Sequence, residues 1–283
     1  MVSSNSTAAF SAQYQAFLQQ PDLFEQQENA LYTSFSTHSP LPLTAAIIQH
    51  WQTVISPRLV LGKRVEYFMH YYLQQQQHLE ILTHNLQIIH EKQTIGELDF
   101  LYYNKEEQQS YHLEQVYKFY IYFPTATSTD LESWIGPNNK DSLVQKLKKL
   151  KNRQFPLLHH SATQAILHQK GLSIPTMLPQ LSFKAALFTP WGTPFPTTSS
   201  LNPACWKGYW LTWTMFLQEN WTSTQFFIPP KQDWGRLPSS STTWLSAATA
   251  IPIIEQWLAR QKAPLCWIKM NTGAYLQLFI LWW

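Results

Sequence analysis

Between Leu79 and Phe123 three strand-like segments follow one another with short polar breaks, and this run constrains the fold more than any other part of the chain. Leu79–His90 is rich in Leu and Ile, and its second half alternates. Residues 96–103 read Gly-Glu-Leu-Asp-Phe-Leu-Tyr-Tyr, which predicts Glu97 and Asp99 on one face and Leu98 and Phe100 on the other. Residues 111–123 carry the Tyr, Phe, Ile and Val that strands favour. The polar stretch 104–110 between the last two reads as a hairpin loop. Strands joined this closely pair antiparallel, so the segment is an antiparallel meander.

Helices are expected on both sides of it. Leu61, Val65, Phe68 and Tyr72 form one apolar stripe, predicting a helix over about 58–76. Upstream, Thr44 is a candidate N-cap for a helix over 44–54. Downstream, Gly136-Pro137-Asn138-Asn139 signals a turn. Leu143, Leu147 and Leu150 then mark the buried stripe of a helix whose remaining surface carries Lys146, Lys148, Lys149 and Arg153. A helix over 161–170 and a strand over 182–188 follow. Beyond a Pro-rich stretch, strands are expected at 209–216, 225–228 and 265–270, with a helix over 250–261.

Composition divides the chain in two. Of 13 Tyr, 11 precede residue 125, whereas 11 of 13 Trp follow residue 190. Through Phe155 there are 12 basic and 14 acidic residues, and beyond it 8 and 3. We therefore read an N-terminal helical extension (1–57), a core (58–190), a Pro-rich linker (191–203) and a Trp-rich α+β domain (204–283). The fold class is mixed α/β. Apolar residues are 45% and charged residues only 13% of the chain, against roughly 25% charged in ordinary domains, which excludes disorder. The apolar tail 274–283 is about half the roughly 20 residues a membrane span requires. A cytoplasmic protein is expected, with no membrane partner and no small-molecule cofactor. Cys205 and Cys266 have no metal spacing and read as two buried free thiols, a disulfide being the alternative. The oligomeric state is not legible.

In so charge-poor a chain the carboxylates of the meander stand out. Glu66 lies on the first helix beside its apolar stripe, Asp99 on the second strand, and Glu114 on the third, followed by Lys118. Carboxylates on neighbouring strands can share a hard divalent cation, which activates water and neutralises a scissile phosphate. A nearby lysine stabilises the charge that develops.

These segments resemble the PD-(D/E)XK (restriction-endonuclease-like) nuclease superfamily. The likeness is carried by Gly96-Glu97-Leu98-Asp99-Phe100-Leu101, then His112-Leu113-Glu114-Gln115-Val116-Tyr117-Lys118, in the order helix, three strands, helix, strand. More closely, the residues from Gly62 to Glu66, the 96–101 motif, those from Glu114 to Phe119, and Gly136-Pro137 resemble an uncharacterised bacterial family assigned to that superfamily. The likeness covers about 58–190 and, more loosely, the Trp-rich remainder. It implies an αβββαβ core and a Mg²⁺- or Mn²⁺-dependent hydrolysis of nucleic-acid phosphodiesters. By the same likeness Asp99 and Glu114 are metal ligands, Lys118 the catalytic lysine and Glu66 an auxiliary acid. Lys146, Lys149 and Arg153 are candidate contacts to a nucleic-acid backbone.

The pattern departs from the superfamily at one position. Its lysine usually stands two residues after the acid, where this chain has Val116; Lys118 is four residues on. On a regular strand its Cα is then roughly 13–14 Å from that of Glu114 instead of about 7 Å. The alternative reading is therefore a nuclease fold that has lost its site and serves as a nucleic-acid-binding or protein-interaction module. Taken singly, Glu97 and Asp99 also read as a solvated strand face, Glu66 as an exposed helix residue, and the basic residues as the wet side of a helix. Of the histidines, His112 shares the face of Glu114, and none has zinc-site spacing with cysteine. The Trp-rich half reads chiefly as core, with base stacking or a partner interface as alternatives.

Overall fold

The computed structural model describes residues 7–24, 31–37, 42–172, 177–270 and 273–283. Its first half contains helix α1 (Thr7–Gln19), strand β1 (Thr33–Ser34), helices α2 (Ala45–Val54) and α3 (Leu61–Gln74), and strands β2 (Leu79–His90), β3 (Gln93–Asn104), β4 (Gln109–Tyr122) and β5 (Trp134–Ile135). Helices α4 (Leu143–Lys149), α5 (Phe155–Leu157) and α6 (Ser161–Gln169) come next, with a π-helical turn, Leu150–Gln154, between α4 and α5. The rest comprises β6 (Met177–Pro190), β7 (Trp206–Thr212), α7 (Trp213–Gln218), β8 (Gln225–Phe227), β9 (Leu245–Ser246), α8 (Ala247–Leu258), β10 (Leu265–Lys269) and β11 (Tyr275–Leu281).

Local chemistry explains the boundaries. The Thr44 side chain caps α2 by accepting from Ile47 N, and Ser142 caps α4 by accepting from Gln145 N. The stripe Leu61, Val65, Phe68 and Tyr72 is buried as its spacing predicts. The strand expected over 209–216 stops at Thr212, whose hydroxyl accepts from Met215 N and starts α7. The apolar tail is β11, a strand inside the sheet between β7 and β10. Burial on both faces accounts for its near-continuous apolar sequence.

Among the described residues all eleven strands belong to one mixed sheet, ordered β2-β3-β4-β6-β7-β11-β10-β8-β9, with β5 beside β4 and β1 beside β6. β2, β3 and β4 form the antiparallel meander; β6 then runs parallel to β4 from Ser110↔Met177 to Ile121↔Phe188. The boundary placed at 191–203 falls in the connection from β6 to β7, and these two strands are hydrogen-bonded neighbours. The core crosses the same point. Phe10, Tyr14, Trp51 and Phe68 of α1–α3 share one apolar cluster with Trp210, Trp234 and Phe279 from the Trp-rich half. On the opposite face of the meander Val116 and Tyr120 pack with Leu143, Leu150 and Phe155 from α4–α5 and the π turn. Six of the 13 tryptophans, Trp51, Trp134, Trp210, Trp221, Trp234 and Trp267, are core residues. Cys205 and Cys266 are free and buried. Among the described residues no helix is long and apolar enough to cross a membrane.

Gly208 shows how closely the halves are joined. It lies in β7 opposite Gln277 of β11 with φ +155°, and a Cβ there would stand 2.0 Å from the Gln277 carbonyl oxygen. Gly208→Ala is therefore expected to lower the unfolding free energy by about 3 kcal/mol or more. Urea unfolding followed by tryptophan fluorescence and by far-ultraviolet circular dichroism measures it. The two signals should move together, because one sheet and one core serve both halves.

Candidate functional site: a carboxylate cluster where two strands part

The site arises where β3 leaves β4. Their pairing runs from Asn104↔Gln109 to Phe100↔Leu113 and ends there. Past this point the buried Gln115 amide donates to Asp99 Oδ2 at 2.9 Å. The alternation expected along β3 slips at the same place. Leu98 and Leu101 pack together against Leu157 and Leu158, while Phe100 and Tyr102 join the cluster under α3. Leu98 and Phe100 thus do not share a face as the sequence suggested. The partner strand keeps its register here, with His84↔Phe100 and Leu86↔Leu98 on either side, and Asn85, opposite Asp99, takes φ +48°. Gly96 lets Leu157 pack close, since a Cβ on it would stand 2.5 Å from Leu157 Cδ2 and that side chain would have to shift.

The slip brings three acids together. One carboxylate oxygen from each of Glu66, Glu97 and Asp99 lies within 4.8 Å of the others. Lys63, one turn before Glu66 on α3, bridges them at 2.9 Å to Glu66 and 2.5 Å to Glu97. Burial alone would lower the Lys63 ammonium, but its hydrogen bonds to Glu97 and Glu66 outweigh this and raise it. Burial pushes Asp99 up to about 7, helped by the charge of Glu114 and resisted by the Gln115 amide. Burial likewise pushes Glu66 up to about 7 against the Lys63 hydrogen bond.

Glu114 stands beside this cluster with its two oxygens already engaged. Oε1 is 3.0 Å from His112 Nε2, and Oε2 accepts from Gln154 Nε2. Both Glu114 and His112 are fully buried. Burial lowers the His112 ring to about 4, so the neutral imidazole shares this hydrogen bond with the Glu114 carboxyl. Gln154 reaches in because the π turn widens the helix at this point, and such turns recur at functional sites. Gln154 Oε1 in turn accepts from Lys146 Nζ at 2.8 Å. Burial raises the Glu114 carboxyl, and the positive charge of Lys146 opposes that rise. Desolvation lowers Lys146 despite the attraction of Glu114 and Asp99.

The residues singled out from the sequence therefore fall into two groups. Glu66, Asp99, Glu114 and Lys146 are drawn into one electrostatic neighbourhood. Lys118 stands at its edge, its charge acting on Lys146: it pairs with Asp141 at 2.6 Å, and Asp141 is brought close by Gly136, whose amide donates to the Asp141 carbonyl. Lys149 is exposed yet near enough to stabilise ionised Glu114, while Arg153 is exposed. Lys63 and Glu97 complete the cluster unassigned by the sequence reading. The i, i+3 spacing of Lys63 and Glu66 on a helix was their available signal.

A family model, Domain of unknown function (DUF1853), matches residues 5–278. No curated protein and no solved structure matches the chain.

Both Asp99 and Glu66 titrate higher in the fold than in the unfolded chain, so the native state holds their protons between about pH 4 and pH 7. Their contribution to stability is complete below that window and is lost as pH rises through it. Asp99→Asn keeps the shape without the charge. In urea unfolding at pH 8 it is expected to be more stable than the unchanged protein by roughly 2–4 kcal/mol, with a smaller margin at pH 5.

Proposed function

The chain belongs to the DUF1853 family, and we propose that it is a metal-dependent phosphodiesterase acting on nucleic acid, built on a PD-(D/E)XK-like core. The observation that carries this reading is the convergence of Glu66, Glu97 and Asp99 from a helix and a strand, next to Glu114 on the adjoining strand. The order α3, the β2–β4 meander, α4–α6 and a β6 parallel to β4 is also the order of that superfamily's core.

The donor set suits a hard divalent cation. All the converging atoms are carboxylate oxygens, and among the described residues the cation paired with two of these acids is the Lys63 ammonium, on a half-exposed side chain. Glu66, Glu97 and Asp99 would hold Mg²⁺ or Mn²⁺, with Glu114 as a further ligand once released from Gln154. A bound ion supplies charge neutralisation at the phosphate and lowers the pKa of water. The chain's own residues do the rest. His112 fixes the orientation of Glu114, Asp99 is held by the Gln115 amide, and Lys146 presents positive charge from the helix side. Lys149 and Arg153 continue that charge along the exposed face for a phosphate backbone. Lys146 thus takes the place that the sequence reading assigned to Lys118.

A second reading draws on a specific observation. With both Glu114 oxygens occupied and Lys118 tied to Asp141, the same fold serves as a binding module without catalysis. Calorimetric titration with MnCl₂ separates the two. The phosphodiesterase reading expects binding that Asp99→Ala abolishes, and cleavage of nucleic acid lost in the same variant. Lys146→Ala should cost about a hundredfold or more in rate, as loss of a charge-stabilising donor does, and Lys118→Ala far less. No Mn²⁺ binding, or cleavage that survives Asp99→Ala, would sink it.

A further inference from the structure

Beside the carboxylates lies a cavity of about 450 Å³ that the proposed metal chemistry leaves unused. Its size falls in the range of small-molecule pockets, roughly 300–1,000 Å³. Trp51 of α2, Tyr67, His70 and Tyr71 of α3, and His84 and Asn85 of β2 line it, and Glu66 stands in its wall. The cavity and the acid cluster share both an element and a defect. Glu66 and His70 are one turn apart on α3, and Asn85, with φ +48°, stands on β2 opposite Asp99, where the alternation of β3 slips.

The lining selects a class of occupant. It also includes His50 and Gln74 but no lysine or arginine, and its one carboxylate, Glu66, disfavours an isolated phosphate or other anion. A transition metal is also a poor fit. The rings of His70 and His84 lie against each other, centroids 4.1 Å apart and tilted by 35°. Their nitrogen lone pairs lie in the ring planes and do not converge on a point between them. Among the described residues neither histidine joins a converging ligand group. Burial pushes His70 down to about 4 and lowers His84 as well, so both rings are neutral. What remains is a wall of flat neutral rings edged with amide and imidazole donors and acceptors. That is the complement of a planar, uncharged, polar-edged heterocycle.

We propose that this cavity receives one unpaired nucleobase of a single-stranded or frayed nucleic acid, and so sets which phosphate lies at Glu66, Glu97 and Asp99. The proposal rests on the phosphodiesterase reading for the identity of the polymer. It adds the substrate class: a base inside a duplex cannot enter a pocket of this kind without leaving its stack, which costs a few kcal/mol. Strand ends, single strands and mismatches are therefore preferred over intact duplex.

The test uses the full chain and two probes that share a phosphate and differ in the base. Adenosine 5′-monophosphate and ribose 5-phosphate are titrated while the ring ¹H–¹³C signals of His70 and His84 are followed. The nucleotide is expected to shift both rings and ribose 5-phosphate neither; equal shifts from the two, or none, would overturn the proposal. His84 is exposed, so His84→Ala leaves the core intact. It should weaken binding of a single-stranded oligonucleotide about tenfold, as loss of a stacking ring does, and leave a blunt duplex of the same sequence unaffected. Equal losses on both would count against a base pocket. Mn²⁺ binding distinguishes the two claims. Mn²⁺ binding without a nucleotide response sinks the pocket alone, and a nucleotide response without Mn²⁺ binding supports the pocket and sinks the phosphodiesterase reading.

Discussion

Past Phe100, strand β3 stops pairing with β4, and the Gln115 amide finds the Asp99 carboxylate instead of a backbone carbonyl. A buried amide requires a partner, so this hydrogen bond is what allows the strands to part. The parting reorients the strand. Had β3 kept its alternation back from Phe100, Glu97 would point with Leu101 toward α5, away from α3. With the slip at Asp99, Glu97 turns instead to Lys63 and Glu66. One unmade stretch of ladder thus creates both the acid cluster and, through Asn85 on the partner strand, the edge of the neighbouring cavity.

Crowding carboxylates in this way opposes folding, and the rest of the chain has to hold them there. The clamp on α3 comes from far away in sequence. Arg64, next to Lys63, is buried and donates to Gln13 Oε1 of α1 at 3.1 Å and to the Ser56 carbonyl at 3.2 Å. Gln13 donates in turn to Asp233 at 2.7 Å, and Asp233 pairs with Arg236 at 3.0 Å. These contacts fix the rotation of α3, and with it the direction of Lys63 and Glu66. The Trp-rich half therefore takes part in the site by holding a helix of the first half, while its Trp210 and Trp234 join the shared core.

How much of this was legible follows from the range of the forces involved. Helix α3 and the meander were readable because Leu61, Val65, Phe68 and Tyr72, and the β-rich runs around Asp99 and Glu114, report local periodicity. The positions of Glu66, Asp99 and Glu114 in neighbouring elements followed from that order. The slip at Asp99 was not readable, since it depends on a hydrogen bond to Gln115 sixteen residues on and on an irregular Asn85. Nor was the place of β7 beside β6 and of β11 beside β7. Composition divides at the Pro-rich stretch, but sheet pairing and apolar contact do not follow composition.

The lysine shows the same point in chemical terms. On β4 the even-numbered side chains His112, Glu114, Val116 and Lys118 follow one face, and Val116 and Tyr120 on that face pack under α4 and α5. A charged lysine at position 116 would have to be buried in that apolar contact, at a desolvation cost its pairing must repay. Valine removes the cost, and positive charge comes instead from Lys146 on the covering helix, whose ammonium Gln154 links to Glu114. The π turn is what permits this link. Its extra residue per turn carries Gln154 inward over Glu114 without displacing the buried side chains of Leu150 and Phe155 on either side of it.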